Sequence, residues 1–564
     1  LKKEREDKSN KSISMKNLRY YIAIGVALGF AAFTLFTLGE RSVAADEFSM
    51  FWAAEKPVST ILKLYFSPFE NNPAGCALVQ HVWGSFFGFS DESLRILSLI
   101  FALGALIYLW KFVELYAARH SDANRLLIFL LAATTPVVWM SANFARYQSM
   151  TLLFGLGALF HYLRWWKSLQ TQSASRRDLA LYAAFAGLSF YFHYLSAAVF
   201  ALCAGLHFLF SALVLRKEYS AALPRWIASQ ISILAIISPI IFLIWTTYSQ
   251  MDLGASPLAA TSISKPAAAA LFFGATVFGA LNGFAVAPWS LWVVAPMTVL
   301  FAILVVRLIR RAPSQTNAER LTALFFLFAP LVVAAAAVAR MYPPLPFYLY
   351  PSIQRVCFVA PILWVILSME LVRIAHTRAR YTAAGIALAC NFYAVATWNF
   401  NVVATQHTPP IRELADFVAR VVENPSRLTV AHPFAYRYGM ESVGSGSAGS
   451  ATAVDRYLPS SNALFWAETD LTAPVSVDSC RRFVAETRSP EFIIVRRNRI
   501  HANSDSLALA LAQSGYRLAK EQDMQAQTAF DVWFKTALLR LPFARAQEDA
   551  APQPYLYTVL YFRR

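Results

Sequence analysis

Asp46 and Glu47 stand side by side just past the first apolar segment of this 564-residue chain. Further on, Arg146, His193 and Arg355 each sit at the edge of an apolar stretch, with Tyr147 and Tyr194 following two of them. A carboxylate can take the proton of an attacking hydroxyl, or hold a metal that does so. Guanidinium groups present a fork that matches phosphate oxygens. A base for a nucleophile and cations able to meet a developing negative charge are what these types offer. Each residue also has a plainer reading. The acid pair could be a solvated helix cap, the arginines could reach lipid headgroups from helix ends, and His193 could be a satisfied bundle histidine. Acids near membrane depth are costly without a use, which favours the first reading of the pair.

The elements that must position these residues are membrane helices. The chain is 57% hydrophobic and 15% charged, where a soluble protein carries about a quarter charged residues. Eleven apolar segments reach roughly the 20 residues needed to cross a bilayer. They cover 20–39, 93–112, 126–141, 148–164, 179–194, 195–215, 226–247, 289–309, 321–340, 355–373 and 381–400. An Ala- and Gly-rich run over 266–287 is expected to lie at the outer surface, because the charge pattern then closes. With the N-terminus inside, inner segments hold 24 Lys and Arg. The outer side holds Arg41, Lys56, Lys63, Arg95, Arg146, Lys265, Arg340 and Arg355. That asymmetry predicts N-in and C-out. Residues 401–564 carry 18 basic and 16 acidic residues, so +15 of the net +17 belongs to the membrane part. The basic balance is a topology signal and not a nucleic-acid footprint. Val43-Ala44-Ala45 resembles a cleavage site, but the preceding apolar run exceeds the roughly 7–15 residues of a signal core. A retained first span is expected.

The fold class expected is therefore an α-helical polytopic membrane protein with a C-terminal extracytoplasmic mixed α/β domain. Residues 1–19 form a cytoplasmic segment, 20–400 the membrane domain with a first outer loop over 40–92, and 401–564 the outer domain. In that last domain Pro409-Pro410 opens a helix with Leu414, Phe417, Val418 and Val421 on one face. Strands are expected at Leu428–His432, Phe492–Val495 and Leu556–Phe562, and a helix over Ser506–Gln513 ending near Gly515. Cys76, Cys203, Cys357, Cys390 and Cys480 show no metal-ligand spacing and are read as free. Gly444-Ser445-Gly446-Ser447-Ala448-Gly449 satisfies G-x-G-x-x-G but is read as a Gly/Ser loop. Tyr342-Pro343-Pro344-Leu345-Pro346 reads as a rigid turn. No internal repeat is visible, which counts against transporter folds built from duplicated halves.

The ordered motifs carry a resemblance. After the acid pair comes Asn72-Pro73-Ala74-Gly75-Cys76-Ala77-Leu78-Val79-Gln80-His81-Val82-Trp83, then Phe86-Phe87-Gly88-Phe89-Ser90 and Leu94-Arg95-Ile96-Leu97-Ser98. Ala145-Arg146-Tyr147, His193-Tyr194, and Arg355 with Pro361 follow in order. Over residues 20–400 this resembles the GT-C glycosyltransferases, in the branch of protein O-mannosyltransferases and the lipid A aminoarabinose transferase. The resemblance implies sugar transfer from a polyprenyl phosphate to an acceptor outside the cytoplasm, in a bacterial inner membrane, with inversion at the anomeric carbon. The acceptor would be lipid A or core sugar, another envelope glycan, or a protein. It implies Asp46 as general base and Glu47 orienting the site. Arg146, Arg355 and His193 would bind the donor phosphate, and Tyr147, Tyr194, His81 and Asn72 the substrate. A divalent metal, where relatives use one, would fall to Asp46 and Glu47. Two departures stand out. Pro73-Ala74 replaces a frequent double proline, and Phe144 occupies the position of an acid two residues before the arginine. The competing readings are a lipid-linked sugar flippase and a non-catalytic GT-C-like subunit.

Overall fold

A computed structural model describes residues 2–38, 45–65, 73–169, 175–215, 217–250, 265–283, 291–310, 317–341, 353, 355–399, 411–432, 458, 462–465, 476–497, 502–526 and 555–564. By internal contact the chain divides into two units. One contains Leu1–Leu38, Ala53–Ala287 and Leu291–Asn399; the other contains Gly39–Trp52, Pro288–Ser290 and Phe400–Arg564.

Among its described residues, the first unit is built of helices and turns. After α1 (Lys2–Thr37), the segment before the next long helix holds three helices: α2 (Ala45–Ala54, whose first part groups with the second unit), α3 (Val58–Tyr65) and α4 (Gly75–Phe87). The bundle continues as α5 (Asp91–Tyr116), α6 (Asp122–Ala133), α7 (Pro136–Ala142), α8 (Gln148–Leu169), α9 (Arg176–Ser189) and α10 (Tyr194–Phe210). A π-turn over Ser211–Leu215 and the short α11 (Lys217–Ala221) lead into α12 (Leu223–Gln250). Then come α13 (Lys265–Asn282), α14 (Leu291–Arg310), α15 (Asn317–Met341), α16 (Val359–Val372) and α17 (Thr377–Asn399). Helices overlie all eleven apolar segments.

Five described helices are long and apolar enough to cross a membrane, and α6 with α7 makes a sixth when their 58° bend is taken as one broken span. The bend falls at Thr134-Thr135 before Pro136, where proline cannot continue the hydrogen-bond ladder. The chain is thus a multi-pass membrane protein. Within region 266–287, helix α13 is not among the helices long and apolar enough to cross a membrane. Helix α13 packs along α15, and its Thr276, Ala280, Leu281 and Asn282 are buried. At Gly279 a Cβ would lie 2.5 Å from Ile353 Cγ2, so the glycine lets the Ile353 segment approach α13 closely.

The second unit carries a five-stranded sheet in the order β2-β1-β3-β5-β4, formed by β1 (Leu428–His432), β2 (Asn462–Phe465), β3 (Glu491–Arg497), β4 (Arg517–Ala526) and β5 (Tyr555–Arg563). Strands β2, β1 and β3 run parallel, and β5 is antiparallel to β3 and β4. The helices of this unit are α18 (Ile411–Val421), α19 (Val477–Thr487) and α20 (Ala502–Gln513). Phe492 and Ile494 of β3 and Leu560 and Phe562 of β5 project to one sheet face, packing with Leu507, Leu511 and Tyr516. Their spacing of two is the strand period. Leu414, Phe417 and Val418 are fully buried on α18. Helix α20 ends just before Gly515, whose φ of +87° suits a residue without Cβ. The Gly/Ser loop over 444–449 and the proline turn over 342–346 lie outside the described residues.

Candidate functional site

The His-x-Trp stretch is on α4, and the structure shows what it holds. Residues two apart on a helix point roughly 200° apart. His81 Nδ1 bonds the Ala54 carbonyl at 2.8 Å, tying α4 to the end of α2. Trp83 Nε1 donates to Ser93 O at 3.0 Å and Ser93 Oγ at 3.1 Å, tying α4 to the first turn of α5. That turn is capped by the Ser90 side chain and begins with Asp91 and Glu92, which suit a helix N-terminus. His81 therefore has a positioning task, fixed through Nδ1 on a carbonyl.

Other residues of α4 meet the remaining candidates. Gly75 N donates to Tyr191 O at 3.0 Å, and a Cβ on Gly75 would sit 2.1 Å from that oxygen. Only glycine permits this approach. One turn later the fully buried Gln80 donates from Nε2 to Ala145 O at 2.8 Å. Two contacts thus clamp α4 onto the turns that precede α10 and α8. Cys76 shares the Gln80 face; burial pushes its thiol up to about 12, with the nearby Arg146 guanidinium acting in the opposite direction.

Arg146, Tyr147 and His193 form a stack. The Arg146 guanidinium lies 4.9 Å from the Tyr147 ring centroid. The Tyr147 and His193 rings are 4.4 Å apart, inclined by 33°. His193 caps α10, its Nδ1 accepting from the Ser196 N–H at 3.1 Å. Burial, then the charges of Arg355 and Arg146, hold the His193 imidazole well below its ordinary pKa. Arg355 therefore acts on the same ring from a third segment of chain, one that Ile353 anchors against Gly279. The three groups share a placement: Arg146 precedes α8, His193 precedes α10, and Arg355 precedes α16. Helix N-termini carry partial positive charge and unpaired N–H groups, which reinforce anion binding.

Tyr194 is buried at the first position of α10. Gln148 and Ser149 open α8 fully buried, and their side-chain polar atoms have no hydrogen-bond partner among the described residues. The sequence reading passed over both; the signal available was a polar pair opening an apolar helix directly after Arg146-Tyr147. Asp46 and Glu47 lie in the first turn of α2, in the portion that groups with the second unit, and Glu47 is fully buried. Asn72 and the Asp46 side chain lie outside the described residues.

A divalent metal was tested against the donor set. Among the described residues no three His, Cys, Asp or Glu side chains come together. Phe144 is buried, and His193 Nδ1 is already engaged by Ser196.

The chain shares its fold with solved GT-C glycosyltransferases. Among solved structures it is similar to ArnT from Cupriavidus metallidurans bound to undecaprenyl phosphate, with a TM-score of 0.53 and 12% identity over 96% of this chain and 97% of that one. It is also similar to the oligosaccharyltransferase AglB from Archaeoglobus fulgidus in complex with an inhibitory peptide and a dolichol-phosphate. There the TM-score is 0.50, with 11% identity over 96% of this chain and 88% of that one. No protein-family model matches the sequence, and no curated protein matches it.

Proposed function

We propose that the chain is a glycosyltransferase that takes a sugar from a polyprenyl phosphate on the non-cytoplasmic face of a bacterial inner membrane, N-terminus inside. The observation that carries this reading is the gathering of Arg146 and Arg355 around His193, each group just ahead of a helix N-terminus. ArnT, similar in fold, was solved with undecaprenyl phosphate, which supports a lipid phosphate as the anion.

The reaction follows from these parts. An acceptor hydroxyl attacks the anomeric carbon, forming the new glycosidic C–O bond while the bond from that carbon to the phosphate oxygen breaks. Asp46 takes the hydroxyl proton, and Glu47 orients the pair. Attack opposite the leaving group inverts the anomeric centre. Negative charge grows on the departing phosphate, where Arg146, Arg355 and His193 stabilise it. Tyr147, Tyr194, His81 and Asn72 bind the substrate. The acceptor is lipid A or core sugar, another glycan or a protein, gripped by residues 401–564.

The test is Asp46→Asn in a membrane transfer assay. Turnover should fall by about 10²–10⁴-fold while carrier binding persists. Unchanged turnover would remove Asp46 as the base. Deleting residues 405–564 should spare carrier binding and abolish acceptor use. Lipid flipping in vesicles with no glycosidic bond formed would instead favour a flippase.

A further inference from the structure

His193 carries a constraint that phosphate binding alone does not demand. Its Nδ1 accepts from the Ser196 backbone N–H at 3.1 Å. A backbone N–H can only donate, so Nδ1 must hold a lone pair there. In the neutral imidazole the proton then resides on Nε2. The ring cannot rotate away from this assignment without losing the cap of α10, and Tyr147 stacks on it at 4.4 Å. The residue is only 6% exposed, yet Nε2 has no hydrogen-bond partner among the described residues. A donor on a largely buried ring that still reaches an opening can be met by an acceptor that enters there.

The surroundings say which acceptor. Arg355 and Arg146 both act on this ring, so an anion drawn to the two guanidiniums arrives beside the Nε2–H. A metal cation would face the same two positive charges and a nitrogen that already bears a proton. We propose that His193 donates its Nε2–H to the phosphate of the lipid carrier as a neutral third donor beside Arg146 and Arg355, and serves neither as a proton acceptor nor as a metal ligand. This rests on the phosphate reading above. A neutral donor adds a directed hydrogen bond without a third formal charge, so the spent carrier phosphate is held less tightly than by three cations.

Two substitutions separate this role from capping. In His193→Asn the short amide oxygen still accepts from Ser196 N–H, since asparagine is a strong N-cap, but nothing reaches the Nε2 position. In His193→Gln the longer amide places an N–H near Nε2 and weakens the cap. The readout is binding of undecaprenyl phosphate to the purified full chain in nanodiscs, with thermal stability measured alongside. H193N should keep its stability and lose about tenfold to a hundredfold in affinity. H193Q should bind more tightly than H193N despite lower stability. H193N binding like the wild type would reduce His193 to a cap and overturn the proposal. A chelator that weakens wild-type binding, restored by a divalent cation, would overturn it too. Absence of binding by the wild type would remove the phosphate reading itself, a result distinct from equal binding by all three proteins. Should a variant fail to fold, 15N shifts of the wild-type ring decide the matter. An unprotonated Nδ1, with an Nε2–H that shifts on adding carrier, supports the proposal; a protonated Nδ1 contradicts it.

Discussion

Helix α10 has a buried histidine at each end, and their surroundings differ in kind. His207, in the last turn, is satisfied on both nitrogens: Nδ1 with Tyr162 Oη at 2.7 Å and Nε2 with Thr322 Oγ1 at 2.9 Å. Its carbonyl accepts from Ser211 Oγ at 2.8 Å, and Ser211 in turn accepts from Trp166 Nε1 at 3.1 Å. The rings of Tyr162, Trp166, Phe325 and Phe326 pack around it, and each of these partners is neutral. His193, about 21 Å away along the helix axis, has one nitrogen engaged and two guanidiniums nearby. The two residues are about equally buried, so burial cannot tell a core histidine from a site histidine. Completeness of hydrogen bonding and the charge of the neighbours can.

The sharpest way to break this contrast is to remove the core member. His207→Ala leaves Tyr162 and Thr322 without their shared partner and opens a void, so the bundle should lose roughly 2–5 kcal/mol. Turnover per folded molecule should stay unchanged. Thermal unfolding and a transfer assay on the folded fraction check this; lost turnover with intact stability would place His207 in the site. The reciprocal change is Gly75→Ala. The added methyl collides with the Tyr191 carbonyl, forcing α4 away from the turn that carries His193. A displacement near 1 Å costs about a hundredfold in rate. Wild-type turnover in G75A would show that the α4 clamp does not position the site.

A smaller effect separates the histidines by pH. An unfolded histidine takes up a proton near pH 6.5, whereas folded His193 resists it because of burial, Arg355 and Arg146. The unfolded chain thus binds more protons as the medium becomes acidic. The stability His193 permits is fully present above about pH 6.5 and is lost as pH falls below that value. Wild-type thermal stability should drop more steeply than that of H193N between pH 7 and pH 5; parallel curves would contradict the assignment. The smallest effect concerns Cys76. With its thiol pushed up to about 12, it should resist maleimide in the folded chain at pH 8 and react after unfolding. Rapid labelling of the native chain at Cys76 would show that the α4 face is open.

Much of this was legible in the residues, and the gaps have physical causes. Long apolar runs announce helices because crossing a bilayer demands length and uniform hydrophobicity. Strands β1, β3 and β5 showed as short apolar runs, since buried strands in a mixed sheet carry little polarity. Strand β4, which reads Arg517-Leu518-Ala519-Lys520-Glu521-Gln522-Asp523-Met524-Gln525-Ala526, was invisible. It lies at the edge of the sheet, where charge is tolerated and pairing with β5 supplies the order. Strand β2 was too short for any period to show. In region 266–287 composition alone did not reveal a packing partner, which Gly279 has in Ile353. In the site, residue types marked Arg146, His193 and Arg355, but which nitrogen of His193 caps α10 is a fact of three-dimensional contact. Arg95, counted among outer charges, is fully buried and donates to the Leu38 carbonyl at 2.6 Å. No spacing in the chain foretold that pairing.

The central claim is that Arg146 and Arg355, gathered around His193, receive a lipid phosphate. Equilibrium binding of undecaprenyl phosphate to the full chain in nanodiscs, compared with the double variant Arg146→Ala/Arg355→Ala, tests it most directly. Charge-assisted hydrogen bonds from two guanidiniums predict a loss of about a hundredfold or more in affinity, with the fold retained. Equal affinity in the two proteins would contradict the account.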